Sequence, residues 1–285
     1  MIDYQHLMNW KFPHIEQHLT QRDTILYALG VGLGADPLDR NQLRFVYEKN
    51  LLTFPSMASI FCYPGNWLKD TRTGVNYGKV VNGGTKFVIH QALPTQGTLT
   101  CAPRVIEIVD KGAGKGALIM VERKVHDKNS GALVCTVTTT TFCRADGGFE
   151  GPSQSSTASP RKVPDTAPDG GVEFTVARNL ALLYRLNGDQ NPIHADPDVA
   201  RAAGFKEPIL HGLSTMGVAT HALLKGCCDY DPARLESVSV RYTAPVITGD
   251  TIRTEFWRED SMIQFRSVVA ARGAAVLAGE AKLRS

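Results

Sequence analysis

Apolar and polar residues alternate with a period of two over much of this chain. Thr85 to Gln91, Val105 to Val109, Ala117 to Val125 and Ala132 to Cys143 read as strands, rich in β-branched residues. Turn chemistry separates them at Lys111-Gly112-Ala113-Gly114 and Asn129-Ser130-Gly131. Four more strands are predicted at Ser237 to Tyr242, Thr251 to Trp257, Met262 to Ala271 and Ala275 to Leu283. A helical period marks Gln21 to Val31, where Ile25, Leu26 and Leu29 form a stripe and Thr20 caps with Asp23 three positions on. Leu51 to Tyr63 reads as a short buried helix, Phe174 to Leu186 and Pro197 to Ala203 as further helices, and His211 to Leu224 as an apolar one. His14 and His18 stand at helical spacing, which allows a metal pair but reads rather as a solvated helix face.

Between the two sets of elements lies a stretch of Gly-Gly, Pro152, Pro160, Pro164 and Pro168 among serines, threonines and charges. Such a composition cannot bury a core and reads as a surface linker. The expected organisation is therefore 1–146, a linker at 147–171, and 172–285. The flanking parts look like a diverged repeat. Ile25-Leu26-Tyr27-Ala28-Leu29 matches Leu182-Leu183-Tyr184-Arg185-Leu186, and Ala92-Leu93-Pro94-Thr95-Gln96-Gly97 matches Ala244-Pro245-Val246-Ile247-Thr248-Gly249. In the first match Gly32 falls where the second part has Asp189.

Composition narrows the class. Hydrophobic residues make up 43% and charged residues 21%, the balance of a soluble globular protein. The net charge of +3 is spread out, with no basic cluster interleaved with aromatics, so no nucleic-acid partner is expected. A mild positive bias suits an anionic small substrate. No apolar run approaches the ~18 residues of a membrane span. None of the six cysteines forms a Cys-x-x-Cys pair, and they read as reduced residues of an intracellular protein. The N-terminus lacks the regions of a signal peptide, and the chain ends Leu283-Arg284-Ser285 rather than Ser-Lys-Leu. A cytoplasmic location is expected, or a peroxisomal one in a eukaryote.

The densest chemistry is Asn187-Gly188-Asp189-Gln190-Asn191-Pro192-Ile193-His194. Asn-Pro keeps Asn191 out of the helical region, so a loop presents Asp189 and His194. Two readings stand on spacing: an acid/base pair, or an Asx-type turn whose Asp caps the helix that follows. Gly212 opens the apolar helix, where backbone N–H groups are unpaired and a glycine admits a ligand oxygen closely. That suits a carbonyl gaining negative charge; close helix packing would also call for glycine. Gly30, Gly32 and Gly34 do not open a helix after a strand and read as a turn.

Tyr184 to His194, followed by Ala203-Gly204-Phe205 and Pro208-Ile209-Leu210-His211-Gly212-Leu213, resembles the signature of the type 2, (R)-specific enoyl-CoA hydratases, MaoC-like proteins of the hot-dog superfamily. Tyr27 to Gly32, Phe45-Val46-Tyr47-Glu48 and Val109 to Gly114 are similar to the first half of the two-repeat members, such as the hydratase part of peroxisomal multifunctional enzymes. The resemblance implies an α+β double hot-dog. Each half would wrap a curved antiparallel sheet around a long helix, near Met57 to Trp67 and near Leu213 to Leu224. It implies water addition to a trans-2-enoyl-CoA, giving a (3R)-3-hydroxyacyl-CoA. Asp189 and His194 would be the catalytic pair, Asn191 would help hold the water, and the Gly212 N–H would bind the thioester carbonyl. Met57, His211 and Leu213 would contact substrate. No cofactor or metal is called for, since the CoA thioester is itself the substrate, and the fold allows a homodimer. A thioesterase and a non-catalytic acyl-CoA-binding module are the alternatives. One departure stands out: Asn82-Gly83-Gly84-Thr85 replaces the His-Gly-Glu-Gln of the peroxisomal relatives.

Overall fold

The eight alternating segments all fall in strands of one antiparallel sheet, which has eleven strands among the described residues. The structure is a computed structural model that describes residues 2–156 and 161–284. In chain order the first half holds α1 (Tyr4–Met8), β1 (Ile15–Leu19), α2 (Gln21–Gly30), α3 (Arg40–Val46), β2 (Val80–Ile89), β3 (Gly97–Cys101), β4 (Arg104–Asp110), β5 (Ala117–Asp127) and β6 (Leu133–Cys143). The second half holds β7 (Gly170–Thr175), α4 (Leu180–Tyr184), α5 (Pro197–Ala202), α6 (Gly212–Cys227), β8 (Leu235–Tyr242), β9 (Thr251–Glu259), β10 (Met262–Val269) and β11 (Ala274–Leu283). Strand order is β1-β3-β5-β6-β2-β8-β11-β10-β9-β7, with β4 also on β5. The order reads the same from either end toward the β2–β8 seam, so the repeat seen in the sequence is a two-fold relation in space.

At that seam Gly84 pairs with Arg241 and Val88 with Ser237. A Cβ at Gly84 would lie 2.7 Å from the Val240 carbonyl oxygen, so the close approach requires glycine. Gly84 belongs to the Asn82-Gly83-Gly84-Thr85 stretch, which thus lies at the seam between the halves. Thr20 caps α2 as expected, its side chain accepting from the Asp23 N–H in a full capping box. Helix α6 buries 12 of its 16 residues, which fits a helix apolar on nearly every side and enclosed by the second half-sheet. Gly217 in α6 permits close packing against the first half, since a Cβ there would meet Val31 Cγ1 at 2.3 Å.

The first half departs from expectation. Neither the helix read over Leu51 to Tyr63 nor the long one near Met57 to Trp67 forms. A 3-10 helix spans Pro55–Ile60 instead, and Cys62 turns the chain with φ 47°. Pro64 explains the stop, because it disfavours a helical Tyr63 and offers no N–H to Ile60. The buried Arg123 guanidinium then donates to the freed carbonyls, to Phe61 O at 2.5 Å and Ser59 O at 2.8 Å.

Other local readings also shift. His14 and His18 are not on a helix, for Ile15–Leu19 is a strand paired with β3. The predicted helix at Phe174 begins only at Leu180, after strand β7. The described residues of the 147–171 stretch are pinned at several points. The N–H groups of Gly148 and Phe149 donate to the Asp110 carboxylate, and Trp257 Nε1 donates to Thr166 O at 3.0 Å. Pro160 lies outside the described residues.

Candidate active site

The loop from Arg185 to His194 is shaped by its own side chains. Gly188 takes a left-handed φ of 114° after the 3-10 turn Arg185–Asn187. Asn191 is extended, as Asn-Pro demands. Its Oδ1 accepts the Ile193 N–H at 3.2 Å and caps the turn Pro192–His194, while its own N–H donates to Asp189 Oδ1 at 3.2 Å. Asp196 caps α5. The loop does hold an Asx-type turn at Asp189, but the following turn is capped by Asn191 and α5 by Asp196, and Asp189 remains an exposed carboxylate at the loop tip.

One carboxylate oxygen of Asp189 and one ring nitrogen each of His194 and His211 lie within 4.8 Å of one another. His194 Nδ1 is 2.8 Å from Ile209 O. A carbonyl only accepts, so Nδ1 carries the proton and Nε2 keeps its lone pair. Burial pushes the His194 pKa below 6.5, so the ring is a neutral base near neutrality. His211 Nε2 is 3.1 Å from Asp189 O and likewise donates. Burial, and then the neighbouring His194, push the His211 pKa down to about 4. The two rings stack, with centroids 3.7 Å apart and planes 27° from parallel.

These three side chains are the donor set a metal would use. His194 Nδ1 and His211 Nε2 are each already engaged with a main-chain oxygen.

His211 is the N-cap residue of α6, and its side chain leaves the helix's first N–H groups uncapped. Gly212 is next, half-buried, with the Tyr242 ring alongside. The loop and the start of α6 thus share His211. Ser214 Oγ donates to Gly30 O at 3.0 Å, fixing this helix end to the first half. Leu213 packs against the main core. Met57 is buried. It lines a cavity of about 230 Å³ between the halves, with Leu26 and Ile60, the polar Gln17 and Asp23, and the loop residues Leu186 to Gly188.

Sequence reasoning gave no role to four neighbours. The buried Tyr184 ring is 4.9 Å from His211, and Arg185 Nε is buried without a partner. Both belong to the quoted motif, which was the available signal. Burial, and then the Asp189 charge, raise the Tyr63 and Tyr77 hydroxyls; these first-half residues face the loop, and nothing in their spacing marked them.

The fold defines a double hot-dog protein, with Asp189, His194 and His211 gathered in its second repeat. Residues 18–145 match the MFE-2 hydratase 2 N-terminal domain and residues 159–279 the MaoC like domain. The chain is 34% identical to "Enoyl-CoA hydratase 2, peroxisomal" of Arabidopsis thaliana, over 98% of this chain and 94% of that protein. It is 37% identical to "3-hydroxyacyl-thioester dehydratase Y" of Mycobacterium tuberculosis, over 88% and 86%. The crystal structure of a MaoC-like dehydratase from Phytophthora capsici superposes with a TM-score of 0.86 at 31% identity, covering 100% of this chain and 99% of that one. The chain belongs to the MaoC-like hydratase 2 family.

Proposed function

We propose that this protein is a hydro-lyase that adds water reversibly to a trans-2-enoyl-CoA and yields the (3R)-3-hydroxyacyl-CoA. The observation that carries the reading is the convergence, within 4.8 Å, of an Asp189 carboxylate oxygen and a His194 ring nitrogen on one loop, with His194 Nδ1 donating to Ile209 O and Nε2 left unprotonated. The activities in the relatives' names support it.

An enoyl thioester is electrophilic at C3, and C2 becomes basic only when the carbonyl is polarised. Asp189 and His194 grip one water. Its oxygen bonds to C3, one proton leaves it for the pair, and one proton passes from the pair to C2 on the same face. No net proton is consumed. The Gly212 N–H holds the thioester oxygen as it gains enolate character, a contact commonly worth ~3 kcal/mol. Asn191 has its oxygen engaged in the turn, so its Nδ2–H is the group that can meet the water. The cavity at Met57 takes the acyl chain. Six buried free cysteines support a reducing compartment. For a eukaryotic host, the name of the Arabidopsis relative makes the peroxisome the first place to look.

The test is a purified-protein assay on an enoyl-CoA. Loss of the enoyl absorbance with no free thiol is the expected result. Release of free thiol would mean a thioesterase, and neither change would leave only a binding module.

A further inference from the structure

Three parts of the proposed site meet at His211. Its Nε2–H donates to the Asp189 main-chain oxygen at 3.1 Å. Its ring lies flat against His194, centroids 3.7 Å apart. Its own backbone is the N-cap of α6, directly before Gly212. The side chain is 1% exposed, and Nδ1, the ring's remaining acceptor, has no hydrogen-bond partner. A buried polar atom left unpaired is costly and uncommon, so an imidazole at this position is offset only by what its Nε2–H bond and its stack on His194 supply. Its upstream segment is fixed in turn, since Leu210 N–H donates to Val246 O at 2.7 Å.

We propose that His211 is a positioning residue for the hydration: one ring ties the Asp189 main chain to the start of α6 and props the His194 imidazole, so that the acid/base pair and the Gly212 N–H keep a fixed spacing. This rests on the reaction proposed above and moves His211 from contacting substrate to holding the groups that do. Asp189 sits at an exposed loop tip and has no other tie to α6 among the described residues. Losing the His211 bond lets the carboxylate drift relative to the N–H. A misplacement of about 1 Å can cost about 10²-fold in rate.

The role also has an electrostatic side. The groups facing the stacked pair are Asp189 and Arg185 from the loop and Tyr184 from α4, and the first turn of α6 carries no acidic residue. Burial is the first cause of the depressed His194 pKa, and the His211 ring covers one face of that imidazole. Removing the ring admits water and returns His194 toward 6.5.

Three variants separate the parts. His211→Phe keeps the stack and loses the bond. His211→Gln keeps a donor and loses the ring. His211→Ala loses both. Near-ultraviolet circular dichroism fixes the folded fraction of each. Per folded molecule, kcat should fall about 10²-fold in His211→Phe with KM little changed, and His211→Gln should recover part of it. In His211→Ala the acid limb of the pH profile should move upward, and so should the His194 titration followed by imidazole NMR. In His211→Phe the titration should stay near its wild-type position. The inference is overturned if folded His211→Phe and His211→Ala keep kcat within about 3-fold of wild type, or if the His194 titration is the same in all three. A wild type that does not hydrate enoyl-CoA would remove the proposed reaction, and the NMR arm would still decide whether His211 holds His194.

Discussion

Gly212→Ala isolates the backbone contact on which the proposed chemistry depends. A Cβ at residue 212 would lie 3.4, 3.5 and 3.6 Å from carbons of the Tyr242 ring, which is ordinary van der Waals contact. The position is the first of a 16-residue helix, where alanine is favoured over glycine by up to ~1 kcal/mol. The variant should therefore fold as well as wild type or slightly better, with a melting temperature unchanged or up by about 2–4 °C. The N–H remains, but a methyl group now stands beside it. A thioester oxygen kept from ~2.7–3.1 Å of its donor loses most of the contact's worth in the transition state, ~2.7–4 kcal/mol or about 10²–10³-fold in kcat. The assay is enoyl-CoA consumption at saturating substrate, beside a thermal melt. Activity within about 3-fold of wild type in a stable variant would refute the placement of the thioester at Gly212. Joint loss of activity and stability would mean that the glycine serves packing against Tyr242.

Asp189→Asn keeps an oxygen to accept the Asn191 N–H, so the loop should hold while turnover falls about 10²–10⁴-fold; unchanged turnover would remove Asp189 from the chemistry. His194 must be neutral to act as base and its pKa is pushed below 6.5, so kcat/KM should be flat near neutrality and fall only below pH 6.5. A fall already complete at pH 7 would contradict that. The buried His221 donates or accepts at Tyr230 Oη, 2.9 Å away, and burial pushes its pKa down to about 3. Its folded pKa lies below its unfolded one, so its stabilising share is full above pH 6.5 and is lost as pH falls from 6.5 toward 3. His221→Phe should flatten the stability-versus-pH curve there by about 1.4 kcal/mol per pH unit, read by urea melts at several pH values; an unchanged slope would show that His221 is not buried neutral. Met57→Ala enlarges the cavity between the halves. It should cost about 2–5 kcal/mol of stability and shift kcat/KM toward bulkier enoyl-CoAs, and an unchanged acyl profile would make this region a scaffold only.

The sheet was legible because its longer strands are dense in alternation and β-branched residues. Val134 to Thr140 is the plainest case, and β6 does span Leu133–Cys143. The repeat was legible in two short matches, and Tyr27 and Tyr184 from the first of them face each other with ring centroids 6.0 Å apart. Short strands were lost. Ile15–Leu19 has too few positions to define a period, and Gly170–Thr175 opens with the two glycines that made it look like linker. The missing helix of the first half had its signal in Pro64-Gly65, but the resemblance to a helix-wrapping fold outweighed it. Asp189, His194 and Gly212 could be named because they sit in one long motif. The link that His211 makes between loop and helix could not, because it depends on a ring stack and a main-chain oxygen that no spacing encodes.

The central claim is water addition across the enoyl double bond, and its most direct test is hydration in deuterated water. Purified protein is incubated with a trans-2-enoyl-CoA, and the thioester product is analysed by mass spectrometry and on a chiral phase. The account predicts a 3-hydroxyacyl-CoA of 3R configuration carrying one deuterium at C2, no free CoA, and no product from the Asp189→Asn variant over the same interval. Free CoA with an unsaturated acid, or enoyl-CoA recovered unchanged, would contradict it.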